Sequence, residues 1–382
     1  MLLSLYLHFP FCVRKCAYCD FVSGRYSPEE MHRYCDLLIR ELRREGETWR
    51  DAGVNTVFFG GGTPSLVPPE EMSRVLKALG ESFHLLPGAE FTSEANPGTL
   101  RGDWLEVMLS GGLNRLSLGI QASQDFLLKR LGRIHSFSQA EEGVKLARSL
   151  GIANLNGDVM FALPGQSRQD YLETLEQVAG LGLPHVSAYS LILEEGTPLA
   201  EQVSRGEAML PGEDEAAEQY EAGLEKLRSL GYERYEISNF ALPGYECRHN
   251  LGYWQGAWYL GLGLAAHSFL PTLGEGFALR RANPSTLAAY EEMVERGGAG
   301  RENQRISRED AMFECVMLGL RTRYGVSAGE FLTRYGTSLE ERFPGAADSL
   351  CRDGLAVWQG DRLALTDRGM LVENTVLMRF ME

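Results

Sequence analysis

The sequence predicts an α/β protein: a partly closed barrel of six β/α units followed by a C-terminal, mainly helical domain resembling a winged helix. Three observations carry this. Short β-rich runs alternate with amphipathic segments over the first 240 residues, polar residues recur where those runs end, and the last hundred residues change character. A doubly wound sheet is the alternative architecture.

The β-rich runs are Ser4–Phe9, Asn55–Phe59, Glu90–Glu94, Arg115–Gln121, Leu155–Phe161 and Val186–Leu193. Between them, segments such as Glu29–Arg50 and Tyr171–Leu181 place apolar residues at helical spacing, as crossover helices do. A barrel gathers its working residues at the C-terminal ends of its strands. Gly60-Gly61-Gly62-Thr63, Glu94, Gln121 and the late-strand Asp158 all stand there. Each one alone is equally well a turn or cap residue.

A further β-like run, Tyr235–Phe240, precedes an aromatic, glycine-rich stretch from Cys247 to Phe269. From Pro284 helices dominate, closing with a hairpin over Leu355–Leu365 that turns at Gln359-Gly360-Asp361. The organisation expected is a barrel over 1–240, a connecting segment over 241–283 and the winged-helix-like domain over 284–382. Residues 301–382 hold 11 Arg, no Lys and 13 acids, and the whole chain carries a net −15. A nucleic-acid reader needs a basic footprint, so that class is set aside.

With 382 residues, 44% of them hydrophobic, the chain has material for a large core. The first residues lack a basic n-region and no apolar run approaches a membrane span, so a cytoplasmic protein is expected. Seven cysteines, four of them isolated (Cys35, Cys247, Cys315 and Cys351), do not make a disulfide framework and suit a reducing compartment.

The other three, Cys12, Cys16 and Cys19, form a C-x3-C-x2-C run directly after the first strand. Thiolates are the ligands of iron–sulfur clusters, and three of them leave one iron of a [4Fe-4S] cube open to a chelating molecule. Two other readings stand beside this one. The spacing also fits one face of a helix bearing inert thiols, and zinc with His8 as fourth ligand is possible chemistry.

With Tyr18 before the last cysteine and Gly60-Gly61-Gly62-Thr63-Pro64 ending the next run, the segment resembles the radical S-adenosylmethionine (SAM) superfamily. Tyr6–Cys12, Ser93–Pro97, Ser117–Gln121 and Asp158–Gln166 narrow the resemblance to the branch holding oxygen-independent coproporphyrinogen III dehydrogenase and the HemW haem chaperones. The resemblance runs from residue 3 to about 380. It implies a [4Fe-4S] cluster on Cys12, Cys16 and Cys19, with SAM held by Tyr6, Gly62, Thr63, Glu94, Gln121, Arg133 and Asp158.

Two features separate the branches. The dehydrogenases carry a fourth cysteine two residues after the third, where this chain has Phe21, and a longer N-terminal segment. Arg248-His249-Asn250-Leu251-Gly252-Tyr253-Trp254 matches the H-N-x-x-Y-W motif that the chaperones use for haem, which makes His249 the implied haem ligand. From residue types alone, a histidine satisfied inside an aromatic core, or one facing the SAM site, is the stronger reading, and the resemblance reverses that order. Cys247 is a further candidate, as is His267, although the resemblance puts that position nearer the SAM pocket, and without a C-x-x-C-H run covalent haem attachment is not indicated.

The resemblance therefore implies a haem chaperone whose partners are haem and unidentified acceptor proteins. Peripheral contact with membrane haemoproteins, without a membrane span, is compatible with it. The competing expectation is an enzyme oxidising coproporphyrinogen III.

Overall fold

The computed structural model describes residues 1–272 and 276–381. Six parallel strands form its centre: β1 (Leu2–Phe9), β2 (Gly53–Gly61), β3 (His84–Ala95), β4 (Arg115–Gln121), β5 (Asn154–Phe161) and β6 (His185–Ser190). Helices α1 (Pro28–Thr48), α2 (Pro69–Ser82), α3 (Gly102–Ser110), α4 (Asp125–Arg130), α5 (Phe137–Ser149) and α6 (Arg168–Gly180) connect them. The sheet is not closed by a β1–β6 pair among the described residues: β6 meets an antiparallel hairpin, and β1 meets a later parallel strand. The six parallel β/α units are those expected, within one continuous sheet that is extended at both edges.

Local chemistry explains the element ends. Ser27 caps α1 and Glu30 reaches back to the Ser27 N–H, a reciprocal capping box repeated by Ser136/Gln139 at α5 and Ser167/Asp170 at α6. Each helix turns its apolar face onto the sheet. Leu38 and Leu42 of α1, Val75 and Leu79 of α2 and Val144 of α5 join Leu5, Val57, Leu116 and Leu155 of the strands in one core.

The Tyr235–Phe240 run is not one strand. It lies within a hairpin of β7 (Glu233–Arg234) and β8 (Asn239–Ala241), because the buried Glu236 carboxylate accepts from Ser238 N–H and turns the chain. Helices α7 (Pro198–Ser204) and α8 (Glu213–Ser229) precede the hairpin.

The expected connecting segment folds into α9 (Arg248–Trp254) and strands β9 (Tyr259–Leu262), β10 (His267–Pro271) and β11 (Ala278–Ala282). Strand β9 pairs parallel with β1, so this segment extends the barrel sheet, and β12 (Glu302–Ile306) forms its edge. Helix α10 (Leu287–Glu295) packs on α1.

A second core gathers Val316, Phe331, Leu350 and Leu363 with Phe269, Ala278 and Ile306 of the sheet extension. Around it lie α11 (Arg308–Gly319), three shorter helices within 328–352, and a three-stranded sheet that includes the expected hairpin, Ala356–Gln359 with Arg362–Leu365. No helix among the described residues is long and apolar enough to cross a membrane.

Candidate functional site

The C-terminal strand ends surround a cavity of about 380 Å³. Cys12, Cys16 and Cys19 line it together with Gly62, Thr63, Glu94, Gln121, Arg133 and Asp158. Residues from five separate β/α units thus share one space, as a barrel's strand ends do.

The glycine turn is shaped by the cysteine loop. Gly62 N–H donates to Phe9 carbonyl at 2.8 Å, and a Cβ on Gly62 would stand 2.6 Å from that oxygen and 2.8 Å from Phe11 N. Gly61 has φ +102°, a region open to glycine, and a side chain there would strike the His8 ring. The run therefore lets β2 end pressed against the loop that begins at Cys12. Thr63 Oγ1 lies 3.8 Å from Cys12 Sγ.

Arg133 is fixed over the opposite side of the loop. Its Nη2 donates to Gly119 carbonyl at 2.6 Å and its Nη1 reaches Cys16 Sγ at 3.6 Å. Burial opposes its charge, but Tyr18 and Cys16 beside it more than compensate, so its pKa is raised. The sequence alone left Arg133 open to being a surface side chain; the fold holds it half-buried against the loop.

The acids form the other wall. Glu94 Oε2 accepts from Gly61 N–H at 3.1 Å, and burial, then the neighbouring Asp158, push its pKa up to about 8. Asp158 is likewise raised by burial, an effect opposed by donors from Ser187, Asn156 and Ser117. Gln121 holds φ +64°, a costly backbone for a residue with a side chain. Its amide donates to Tyr189 hydroxyl at 3.2 Å, while its buried Oε1 finds no donor among the described residues. Two half-buried acids and an orphaned acceptor suit a ligand rich in donors and positive charge, such as the ammonium, sulfonium and ribose hydroxyls of SAM.

The three thiols fit a cluster on the same grounds. They line one cavity with Arg133, and three thiols on one loop are the donor type that iron–sulfur clusters use.

Tyr6 is placed differently from the other expected SAM residues. It lines a second groove of about 380 Å³ with His8, Asp20, Phe21, Val22, Tyr253, Tyr259, Ala265 and His267. Its hydroxyl lies 3.1 Å from His8 Nδ1. Asp20 and Phe21 line both spaces, so the cysteine loop is the partition between them.

His249 lies behind the second groove. Its Nδ1 pairs with Thr56 Oγ1 at 2.8 Å, its Nε2 with Tyr253 hydroxyl at 2.9 Å, and its ring stacks on Phe58. Burial, then the Arg115 charge, bring its pKa down to about 3, so the ring is neutral. As folded, it turns no free nitrogen to a haem iron. Cys247 is corrected as a haem ligand: its thiol, pushed up to about 12 by burial, donates to Glu90 at 3.4 Å inside the barrel.

A buried polar chain connects the two regions. Asn156 Nδ2 donates to Asp158 at 2.7 Å, and Asn156 Oδ1 takes the His185 Nδ1 proton at 2.6 Å. That fixes the tautomer, so His185 Nε2 accepts from Tyr235 hydroxyl at 2.8 Å, whose oxygen accepts from Cys247 N–H at 3.2 Å. The Glu90 carboxylate then accepts from Arg248 and His249 N–H, both at 2.9 Å, at the start of α9. Arg115 is buried among these groups, and its charge balances Glu90. Sequence reasoning missed this chain and Tyr189; the latter, near the end of β6, was findable by the strand-end rule.

Comparison with known proteins agrees with this geometry. The Radical SAM superfamily model matches residues 6–178, and the HemN C-terminal domain model matches residues 306–372. The fold and site define a radical SAM protein. Haem chaperones HemW from Lactococcus lactis and Bacillus subtilis are each 33% identical over 99% of this chain, covering 97% and 99% of their own lengths. HemW from Escherichia coli is 35% identical over 99% of this chain and 98% of its own. The chain belongs to the HemW family. Coproporphyrinogen III oxidase HemN from Escherichia coli shares the fold, with TM-score 0.83, 22% identity and coverage of 99% of this chain and 89% of that one.

Proposed function

We propose that this chain is a haem chaperone, binding haem and passing it to acceptor proteins. The observation that carries this reading is its end-to-end similarity to proteins named as haem chaperones, at 33–35% identity over nearly the whole chain. Phe21 supports it, because the position where the dehydrogenases carry a fourth cysteine holds an apolar ring here.

Cys12, Cys16 and Cys19 would hold the [4Fe-4S] cluster, and Gly62, Thr63, Glu94, Gln121, Arg133 and Asp158 would grip SAM. A reduced cluster beside SAM supplies one-electron chemistry. The protein's own part is to exclude water, fix Cys16 through Arg133 and set the charge of Glu94 and Asp158. Tyr6 would serve from the far side of the cysteine loop, with its hydroxyl held by His8. His249 would act on haem from behind Tyr253, through the hydroxyl that it holds, and would ligate iron itself only after Tyr253 swings away.

Direct transfer is tested by mixing haem-loaded, cluster-loaded chain with an apo-haemoprotein from the same cells. A chaperone transfers through a complex, so the rate rises with acceptor concentration and then saturates. A rate independent of acceptor concentration means passive release and sinks the proposal.

A further inference from the structure

We infer that His267 is the residue through which this chain contacts haem iron, in the groove across the cysteine loop from the SAM cavity. The inference rests on the haem-chaperone reading and names the residue that reading leaves open. Three imidazoles lie in or behind this groove, and their hydrogen bonds separate them. His8 is buried, with Nδ1 on Tyr6 hydroxyl and Nε2 on Val22 carbonyl at 2.8 Å. His249 is buried with both nitrogens engaged. His267 is exposed, and its ring has no hydrogen-bond partner among the described residues.

The surroundings suit a flat aromatic macrocycle. Tyr253 and Tyr259 meet edge to face at 4.7 Å between ring centres, presenting perpendicular aromatic walls. Phe21, 66% exposed, stands at the rim on the cysteine loop. His267 opens β10 opposite Ala282 of β11, whose methyl leaves the imidazole uncrowded on that side. Ala265, two residues earlier, holds φ +54°, an unfavourable backbone that fixes the turn presenting His267. An accessible imidazole beside aromatic walls is a haem-binding arrangement.

The occupant is haem rather than a metal-free porphyrin, since only iron uses the imidazole lone pair. This gives the test its control. Cluster-loaded full-length chain, its His267→Ala variant and its His249→Ala variant are titrated with haem and with protoporphyrin IX. Difference spectra are taken against haem-free samples of equal cluster content, and thermal melts check folding.

The expected result is an imidazole-ligated Soret band in the native chain that His267→Ala loses, with haem binding weakened by about tenfold or more. Added imidazole restores the band, and protoporphyrin IX binding is unchanged. An unchanged haem spectrum and affinity in His267→Ala overturns the assignment. So does loss of the imidazole signature in a folded His249→Ala chain whose His267 is intact. If the native chain binds no haem, the chaperone reading fails instead, and the two failures are distinguishable.

Discussion

Replacing Glu94 by Gln should remove a proton from the thermodynamics of SAM binding. Glu94 is half-buried beside Asp158, and its pKa is pushed up to about 8 from an ordinary 4.5, first by burial and then by that neighbour. At neutral pH about nine in ten ligand-free molecules therefore hold Glu94 protonated. The sign follows from linkage. Between 4.5 and about 8 the folded chain holds a proton that the unfolded chain has lost, so ligand-free stability declines as pH rises through that window. A cation placed against Glu94 and Asp158 reverses the preference and expels the proton. SAM affinity should then rise up to about tenfold per unit between roughly pH 6 and 8 and level off above. Calorimetry of SAM binding to cluster-loaded chain, in two buffers of different ionisation heat, reads the proton directly. Release should approach one proton near neutrality, and Glu94→Gln should abolish most of it. Asp158 contributes less because three donors support its charge. A pH-independent affinity, or full proton release in Glu94→Gln, refutes the placement of positive charge at Glu94.

Three further expectations follow from the same geometry. Cys16→Ala should lose the iron and sulfide of about four atoms each that anaerobic reconstitution gives the native chain, while Cys351→Ala, far from the cavity, keeps them; full iron in Cys16→Ala would contradict the loop assignment. Tyr235→Phe deletes the hydroxyl between His185 and Cys247 N–H and should cost about 1–3 kcal/mol in denaturant unfolding, whereas a change within error would mean that the chain is not a stabilising unit. His8, His135, His185 and His249 are all held neutral, chiefly by burial, with His135 lowered to about 4 and His249 to about 3. The unfolded chain binds these protons first, so the melting temperature should fall as pH drops below the ordinary histidine value of 6.5, and a flat profile down to those folded values would contradict their burial.

The parallel strands were readable because a strand buried on both faces is a continuous β-rich run; Arg115–Gln121 matches the structure residue for residue. The cysteine loop and glycine turn were readable because each is contiguous. The second groove was not, since Tyr6, Phe21, Tyr253, Tyr259 and His267 converge from β1, the cysteine loop, α9, β9 and β10, with no shared spacing. Helix α1 hid another feature in plain sight. Its Glu41 and Glu45 look like a solvated face at helical spacing, yet both are buried against Arg301, and Glu45 also pairs with Arg281. Only long-range pairing reveals that, and it ties α1 to the far end of the sheet. His249 shows the opposite case, where residue types allowed a satisfied core histidine and the fold adopts that arrangement.

The central claim is that a radical SAM scaffold carries haem here and does not consume a porphyrinogen. One preparation of cluster-loaded chain, given SAM, a working reductant and coproporphyrinogen III, decides it when the porphyrin products are separated and quantified and the same sample is titrated with haem. The account predicts stoichiometric haem binding and no protoporphyrinogen above a chain-free control. Protoporphyrinogen formed over many turnovers, by a chain that leaves haem unbound, would contradict it.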